Sequence, residues 1–346
     1  MSSWQEEFRD SFRNTHDLAN FLETDLPTLS FQSFIPKTFA KRIKELGPHS
    51  SLWKQFVPND FEVRSEGLYD PIGDTAHAKE GQIIHRYKNR ALFLPTTVCP
   101  ITCRYCFRKN ELNERDELFA SDFEKTKKYI QDHPEIEEII FSGGDPLILS
   151  DKKLDFYMDE FSALKIKHIR FHSRTPVILP SRIDDGFEKL IQKYDSRFET
   201  ITLVIHLNHT EEIDNRFNLA CQRLKKLPLQ LLSQSVLLKG INDDSTKLKE
   251  LFKALHGLGI RPYYLHHPDM VKGGMHFWLS LEKGRKIYGK LRDSLPGWML
   301  PNYIIDVPGG HGKTPAFNPE SLSFSGFLLN RFGNKISVSK DFLVDN

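Results

Sequence analysis

Apolar positions along roughly residues 1–60 recur at helical spacing. Phe8, Phe12, Leu18, Phe21 and Leu22 fall near one face, and the stretch Pro36 to Ile43 opens a further helix with proline near its first turn. Between 61 and 82, Gly67, Pro71, Gly73 and Gly81 punctuate the chain and predict loop. From Arg90 the period changes. Short β-rich runs at Ala91–Thr97, Glu138–Ser142, His168–Ser173, Thr200–Leu207, Leu229–Val236 and Ile260–His267 alternate with helical patterns that begin near Ser121, Ser150, Ser181, Thr210 and Asp244. Ser121-Asp-Phe-Glu124 has the form of a capping box, and the helix it opens ends before Pro134.

Strands alternating with helices predict an α/β chain with a parallel sheet and right-handed crossovers. Ile201-Thr-Leu-Val-Ile205 has the near-continuous apolarity of a strand buried on both faces. An open doubly wound sheet and a barrel both satisfy the alternation. The barrel is favoured because Cys99 to Cys106, Ser142 to Asp145, Arg174, His206, Gln234 and Asp269 stand at the C-terminal ends of successive runs, where a barrel brings them to one mouth. Six units rather than eight predict a partial (βα)6 TIM-like barrel whose open side is covered by the terminal segments. The expected organisation is a helical extension over 1–80, the barrel core over 81–300 and a C-terminal segment over 301–346.

Composition changes this picture little. Hydrophobic residues at 39%, charged residues at 27% and a formal net charge of +2 describe an ordinary globular chain of 346 residues, with no bulk electrostatic case for nucleic acid. The first ten residues, Met1 to Asp10, hold no apolar signal-peptide core, and no run has the length to span a bilayer. A cytoplasmic protein with reduced thiols, and no membrane or nucleic-acid partner, is expected.

Three of the four cysteines fall within Cys99-Pro-Ile-Thr-Cys103-Arg-Tyr-Cys106. A disulfide framework needs an oxidising compartment and an even count, and a structural zinc site wants four ligands, usually as two pairs. Pro100, Thr102 and Arg104 make a poor core segment. The reading that remains is an iron–sulfur cluster, which normally takes four cysteines, so that three leave one iron open to a non-protein ligand.

Two further stretches carry glycine after a strand. In Phe141-Ser-Gly-Gly-Asp-Pro146 the glycines suit either a tight βα turn or close approach of backbone to a ligand. In Asp306-Val-Pro-Gly-Gly-His-Gly-Lys313-Thr-Pro the Gly-Lys-Thr invites a phosphate-loop reading, which fails on two counts. The position six residues before the lysine is Val307, and Pro315 and Pro319 prevent the helix that would have to follow. Lys313 is then either a solvated lysine or an amine able to capture an aldehyde such as pyridoxal 5′-phosphate (PLP).

The Cys-x3-Cys-x2-Cys spacing with an aromatic before the last cysteine resembles the radical S-adenosylmethionine (SAM) superfamily, in which the open iron takes the amino and carboxylate groups of SAM. Over about residues 80–318 the chain resembles, more narrowly, the PLP-dependent lysine 2,3-aminomutase family. The likeness is carried by His85-Arg-Tyr87 with Arg90, the cysteine motif with Arg108, Ser142-Gly-Gly-Asp145, Gln234-Ser-Val-Leu-Leu, Arg261-Pro-Tyr-Tyr264 through Asp269, and the Lys313 loop.

The resemblance implies a [4Fe–4S] cluster on Cys99, Cys103 and Cys106, and PLP held by Lys313 with Arg86 and Arg90 near its phosphate. It implies SAM contacts from Ser142, Gly143, Gly144 and Asp145, and cofactor-pocket roles for His206 and Gln234. Arg108 would take the substrate carboxylate, and Asp269 with Asp306 the ε-ammonium of L-lysine. The implied reaction is an isomerisation of L-lysine to β-lysine, through a 5′-deoxyadenosyl radical and migration of the α-nitrogen as a PLP imine. An electron donor such as a flavodoxin or ferredoxin, and a homo-oligomer, come with the family.

One departure bears on that oligomer. Typical members carry C-terminal cysteines that bind zinc between subunits, and this chain has none after Cys221. Its short C-terminus resembles instead the branch that serves elongation factor P modification, whereas the presence of Asp306 points back to free L-lysine. A non-catalytic iron–sulfur scaffold is a rival reading, against which an intact cysteine motif together with Lys313 speaks, and a PLP-independent radical SAM enzyme is another, which a Lys313-dependent absorbance band near the visible edge would exclude.

Overall fold

The computed structural model describes residues 3–29, 31, 33–114, 122–317, 327–329 and 334–339. Its centre is one curled sheet whose strands run β3 (Ala78–Lys79), β4 (Ile83–Tyr87), β5 (Arg90–Phe93), β6 (Glu138–Phe141), β7 (His168–Ser173), β8 (Thr200–His206), β9 (Gln230–Val236), β10 (Arg261–His266), β11 (Asn302–Val307) and β12 (Gly312–Pro315). Two short strands, β1 (Ser11–Phe12) and β2 (Ile35–Pro36), pair outside it. All six expected runs hold strands, although the first, expected to reach Thr97, ends at Phe93. The parallel set is one longer than expected, because β11 pairs in parallel with β10 and extends β5–β10 to seven. Antiparallel strands then flank it, β4 and β3 beyond β5 and β12 beyond β11. The architecture is the partial barrel that the alternation predicted.

Helices begin where a short polar side chain can take the first free amides. Ser150 accepts from the Lys153 amide, and Asp244 from the amides of Thr246 and Lys247, as expected. Ser121 lies outside the described residues, and the cap of helix Phe123–Asp132 is Asp122. Two starts need correction. The helices placed near Ser181 and Thr210 begin at Asp185 and Asn215, capped by Asp184 and Asp214. The residues before them are occupied elsewhere: Arg182 is buried against the Leu147 and Leu149 carbonyls and Asp151, and Glu212 is buried against Arg174. Short 3-10 turns at Pro180–Arg182 and Thr210–Glu212 present those side chains inward.

The N-terminal segment is helical but broken. Trp4–Arg9 and Thr15–Leu22 are separate helices, and Phe12, expected on a helical face, lies in β1 and packs on Phe21. Glu7 fastens this segment to the barrel through Arg216, Ser181 and Thr38. Ile35, Phe39, Ile43 and Phe56 share one apolar core with the barrel side chains. Among the described residues no helix is long and apolar enough to cross a membrane.

No strand pair joins β12 to β3, yet the two ends of the sheet meet through side chains. The Tyr87 hydroxyl accepts the Lys313 amide at 2.8 Å, and His77 Nε2 donates to the Gly310 carbonyl at 2.8 Å. The turn that brings β12 back along β11 runs through Gly309 and Gly310 at φ of 83° and 81°, a region in which a side chain would be strained.

The cysteine segment is held by a second glycine. The amides of Gly144 and Asp145 donate to the carbonyls of Thr96 and Val98 at 2.8 Å each, and a Cβ at Gly144 would overlap the Val98 carbonyl. Gly144→Ala is therefore expected to cost about 1–3 kcal/mol of stability, read as a lowered Tm, and to reduce the iron retained after anaerobic reconstitution.

Candidate active site

The barrel encloses a cavity of about 630 Å³, and every residue singled out in the sequence for chemistry lines it, from Arg86 and the three cysteines to Lys313. Parity explains the convergence. Alternate residues of a strand face one side, so Ile140 and Ser142, Arg170 and His172, Thr202 and His206, and Leu232 and Gln234 all look into the lumen. The cysteines arrive on the loop that follows β5, stitched to the Gly143–Gly144 turn that follows β6.

Among the described residues no three His, Cys, Asp or Glu side chains converge closely enough to chelate one metal ion. The three thiols line one cavity, as a cluster shared among them requires. In the free chain burial pushes all three thiols up, Cys106 to about 12, while the Arg174 guanidinium opposes burial at Cys103. Arg174 Nη1 donates to Cys103 Sγ at 3.2 Å. The donor set fits an iron–sulfur cluster.

Lys313 sits on β12 rather than on the glycine-rich loop itself, a correction that fixes its partner. The antiparallel register places it opposite Asp306, and its ammonium contacts both carboxylate oxygens at 2.6 and 2.8 Å. Burial would raise the Asp306 carboxyl, but Lys313 and His266 hold it well below the usual range. Asp269 is the opposite case: burial, with Asp306 adding to it, pushes its carboxyl well above the usual range.

Three arginines complete the charge pattern. Arg86 Nη2 contacts Asp74 at 2.8 Å, and its Nη1 lies 3.8 Å from Asp306. Arg108 lies between Asp74 at 2.5 Å and Glu111 at 3.2 Å, so it enters the site already paired. Arg90 stacks over the Tyr87 ring at 3.9 Å and makes no ion pair among the described residues, leaving a cation for an anionic group. Together with the Lys313 amine this set fits PLP, an aldehyde that carries a phosphate. His206 is pushed well below its usual pKa by burial and is therefore neutral.

Several residues here were not assigned from the sequence. Asp74 sits in the stretch read only as loop, and Glu111 and Glu212 sit within helical turns, so pattern gave no signal for any of them. Tyr105 and Arg174 had a signal, the one between two cysteines and the other at a strand end.

The Radical SAM superfamily profile matches residues 93–261. An L-lysine 2,3-aminomutase from Escherichia coli is 34% identical over 284 residues, covering 81% of this chain and 82% of that protein. The Haemophilus influenzae protein of the same name is 37% identical, covering 82% and 84%, and the Buchnera aphidicola one is 32% identical, covering 90% and 94%. The fold and site define a radical SAM enzyme, and this chain belongs to its lysine 2,3-aminomutase family.

Glu111 gives the site a pH dependence. Burial, with Asp74 and Asp70 adding and Arg108 opposing, raises its carboxyl from 4.5 to about 7. Its raised pKa contributes stability that is full below the unfolded value and is lost as pH rises through about 7. Glu111→Gln is expected to remove this slope, worth up to about 3 kcal/mol, between pH 4.5 and 7. Chemical denaturation across that range checks it, and parallel curves for the two proteins would contradict it.

Proposed function

We infer that the chain moves the α-amino group of L-lysine to its β-carbon, giving β-lysine. The observation that carries the reading is the convergence of three cysteines, Lys313 and the acids Asp269 and Asp306 on one cavity. Family membership supports it, and the relatives' names specify L-lysine. A role dedicated to elongation factor P modification is not favoured by those names.

Cys99, Cys103 and Cys106 would hold a [4Fe–4S] cluster, Ser142 to Asp145, with His206 and Gln234, would line the SAM pocket, and Lys313 would hold PLP with its phosphate toward Arg86 and Arg90. Bound there, the cluster with SAM supplies a carbon radical that takes hydrogen from the substrate, and PLP supplies a π-system over which an unpaired electron spreads. Asp306, which pairs with the Lys313 ammonium, would face the ε-ammonium of the substrate. Asp269, its carboxyl raised by burial, would join it in the ionised form that an ammonium favours. Arg108 takes the substrate carboxylate by a bidentate contact, replacing one of its present partners. Acids at one end and an arginine at the other select a zwitterion with a distal ammonium. A low-potential one-electron donor of the flavodoxin or ferredoxin kind would serve the cluster, and a homo-oligomer is the expected assembly.

Anaerobic reconstitution with iron, sulfide, PLP, SAM, dithionite and L-lysine should yield β-lysine by mass spectrometry. Lys313→Ala and Cys103→Ala should each reduce the yield to background, and Lys313→Ala should also lose the PLP absorbance. SAM cleavage without β-lysine would assign the chain another substrate.

Because burial and Asp306 raise the Asp269 carboxyl and an arriving ammonium favours its ionised form, lysine binding should release protons, increasingly so as pH is lowered. Calorimetry in buffers of different ionisation heat reads this directly. Asp269→Asn should abolish the buffer dependence and weaken lysine about thirtyfold or more. An unchanged buffer dependence in the variant would remove Asp269 from the substrate site.

A further inference from the structure

Beside Cys103, a buried polar cluster surrounds Arg174. Its backbone is fixed first. The amides of Arg174 and Thr175 donate to Asp145 Oδ2 at 2.6 and 2.9 Å, and the Ser173 hydroxyl donates to Oδ1 at 2.7 Å. The guanidinium, buried with its residue 5% exposed, then divides its two ends. Nη1 donates to Cys103 Sγ at 3.2 Å and to the Tyr105 hydroxyl. Nη2 donates to Gln55 Oε1 at 3.0 Å and to Glu212 Oε2 at 2.5 Å.

Each partner is itself pinned. The Tyr105 hydroxyl accepts from Arg174 and from Asn208 Nδ2 at 2.7 Å, so its proton goes to His206 Nε2, 2.7 Å away. Glu212 Oε1 accepts the amides of Asn208 and His209 at 2.7 and 3.0 Å and Gln55 Nε2 at 3.2 Å. No member can swing away without leaving a buried donor or acceptor unmade, which costs about 1–3 kcal/mol. The charge beside Cys103 is therefore preorganised.

We propose that Arg174 is a positioning residue that raises the reduction potential of the cluster on Cys99, Cys103 and Cys106, and that Glu212 on its far side moderates the effect. The proposal rests on the cluster reading above and deepens it. Reduction adds one electron, and so one negative charge, to the cluster, with the electron drawn from an external one-electron donor and no bond broken. A cation in contact with a ligand sulfur, in a buried setting, favours the more negative state, and an N–H···S bond acts in the same direction. Arginine suits the place because its planar fork binds sulfur and carboxylate at once, while lysine is a single point charge. Glu212 places a carboxylate against the same guanidinium, so the cluster feels a net field weaker than that of a bare cation.

The test compares wild type, Arg174→Met, Arg174→Lys and Glu212→Gln, reconstituted with iron and sulfide. The readouts are iron content and the midpoint potential, followed by the electron paramagnetic resonance signal of the reduced cluster under dithionite-poised potentials. Arg174→Met should lower the midpoint by about a tenfold change in the oxidised-to-reduced ratio, or ~59 mV for one electron. Arg174→Lys should recover part of that shift, and Glu212→Gln should move the midpoint the other way. Opposite signs separate a charge effect from general loosening, which would move both variants alike. Equal midpoints in iron-loaded proteins, or shifts of the same sign, overturn the proposal. If Arg174→Met fails to fold, the sign of the Glu212→Gln shift decides alone, and an unchanged or lowered midpoint overturns it. Failure of wild type to bind iron through its three cysteines would instead sink the cluster reading, and this proposal with it.

Discussion

The Asp145 carboxylate, buried at the mouth of the barrel, accepts four hydrogen bonds: from the Leu147, Arg174 and Thr175 amides and from the Ser173 hydroxyl. Burial pushes its carboxyl up, and those donors are what make the charged form tolerable there. Much of the site's geometry descends from this one junction. It ties the end of β6 to the end of β7, and the amide of the same residue holds the Val98 carbonyl beside the first cysteine. The guanidinium that meets Cys103 projects from the residue whose amide the carboxylate fixes. Removing the carboxylate would leave a strand end, a cysteine loop and an arginine without a common anchor.

The lumen is unusual for a barrel interior in being lined with charge, and the charge is arranged in exchangeable pairs. Asp74 joins Arg86 to Arg108, and Asp306 joins Lys313 to the side of Arg86. Asp74, Asp306, Arg86 and Arg108 each already have a second partner nearby. A site built this way keeps its buried charges compensated while empty and trades partners when filled, so the desolvation penalty is met largely on folding and not on binding.

The fold was readable wherever a periodic run met a turn, and all six expected strands stand where the alternation put them. The seventh, Asn302–Val307, is as apolar as its neighbours but follows a helix that ends in a proline-bounded turn, Leu295 to Pro301, and its place beside β10 is a long-range fact. The helix starts near Ser181 and Thr210 misled because capping residues also occur where a side chain is needed for something else, here a buried Arg182 and a buried Glu212. The candidate site was legible where its chemistry is written in compact motifs, as with the cysteines, Ser142 to Asp145 and Lys313. Asp74 and Glu111 were not, because a lone acid in a loop or on a helix looks like a solvated charge until the fold buries it against arginine.

The seam between β12 and the β3–β4 edge differs in kind from the rest of the barrel wall. Elsewhere adjacent strands share a ladder; here the Tyr87 and His77 contacts and the Arg86–Asp306 pair do the joining. Regions held by few bonds open locally at a small fraction of the free energy of global unfolding. The strand beside that seam, laddered to β11 on its other edge, carries Lys313. Were the seam to part, a molecule attached to this lysine would meet the opening directly, so that loading the lumen and exposing the lysine would coincide.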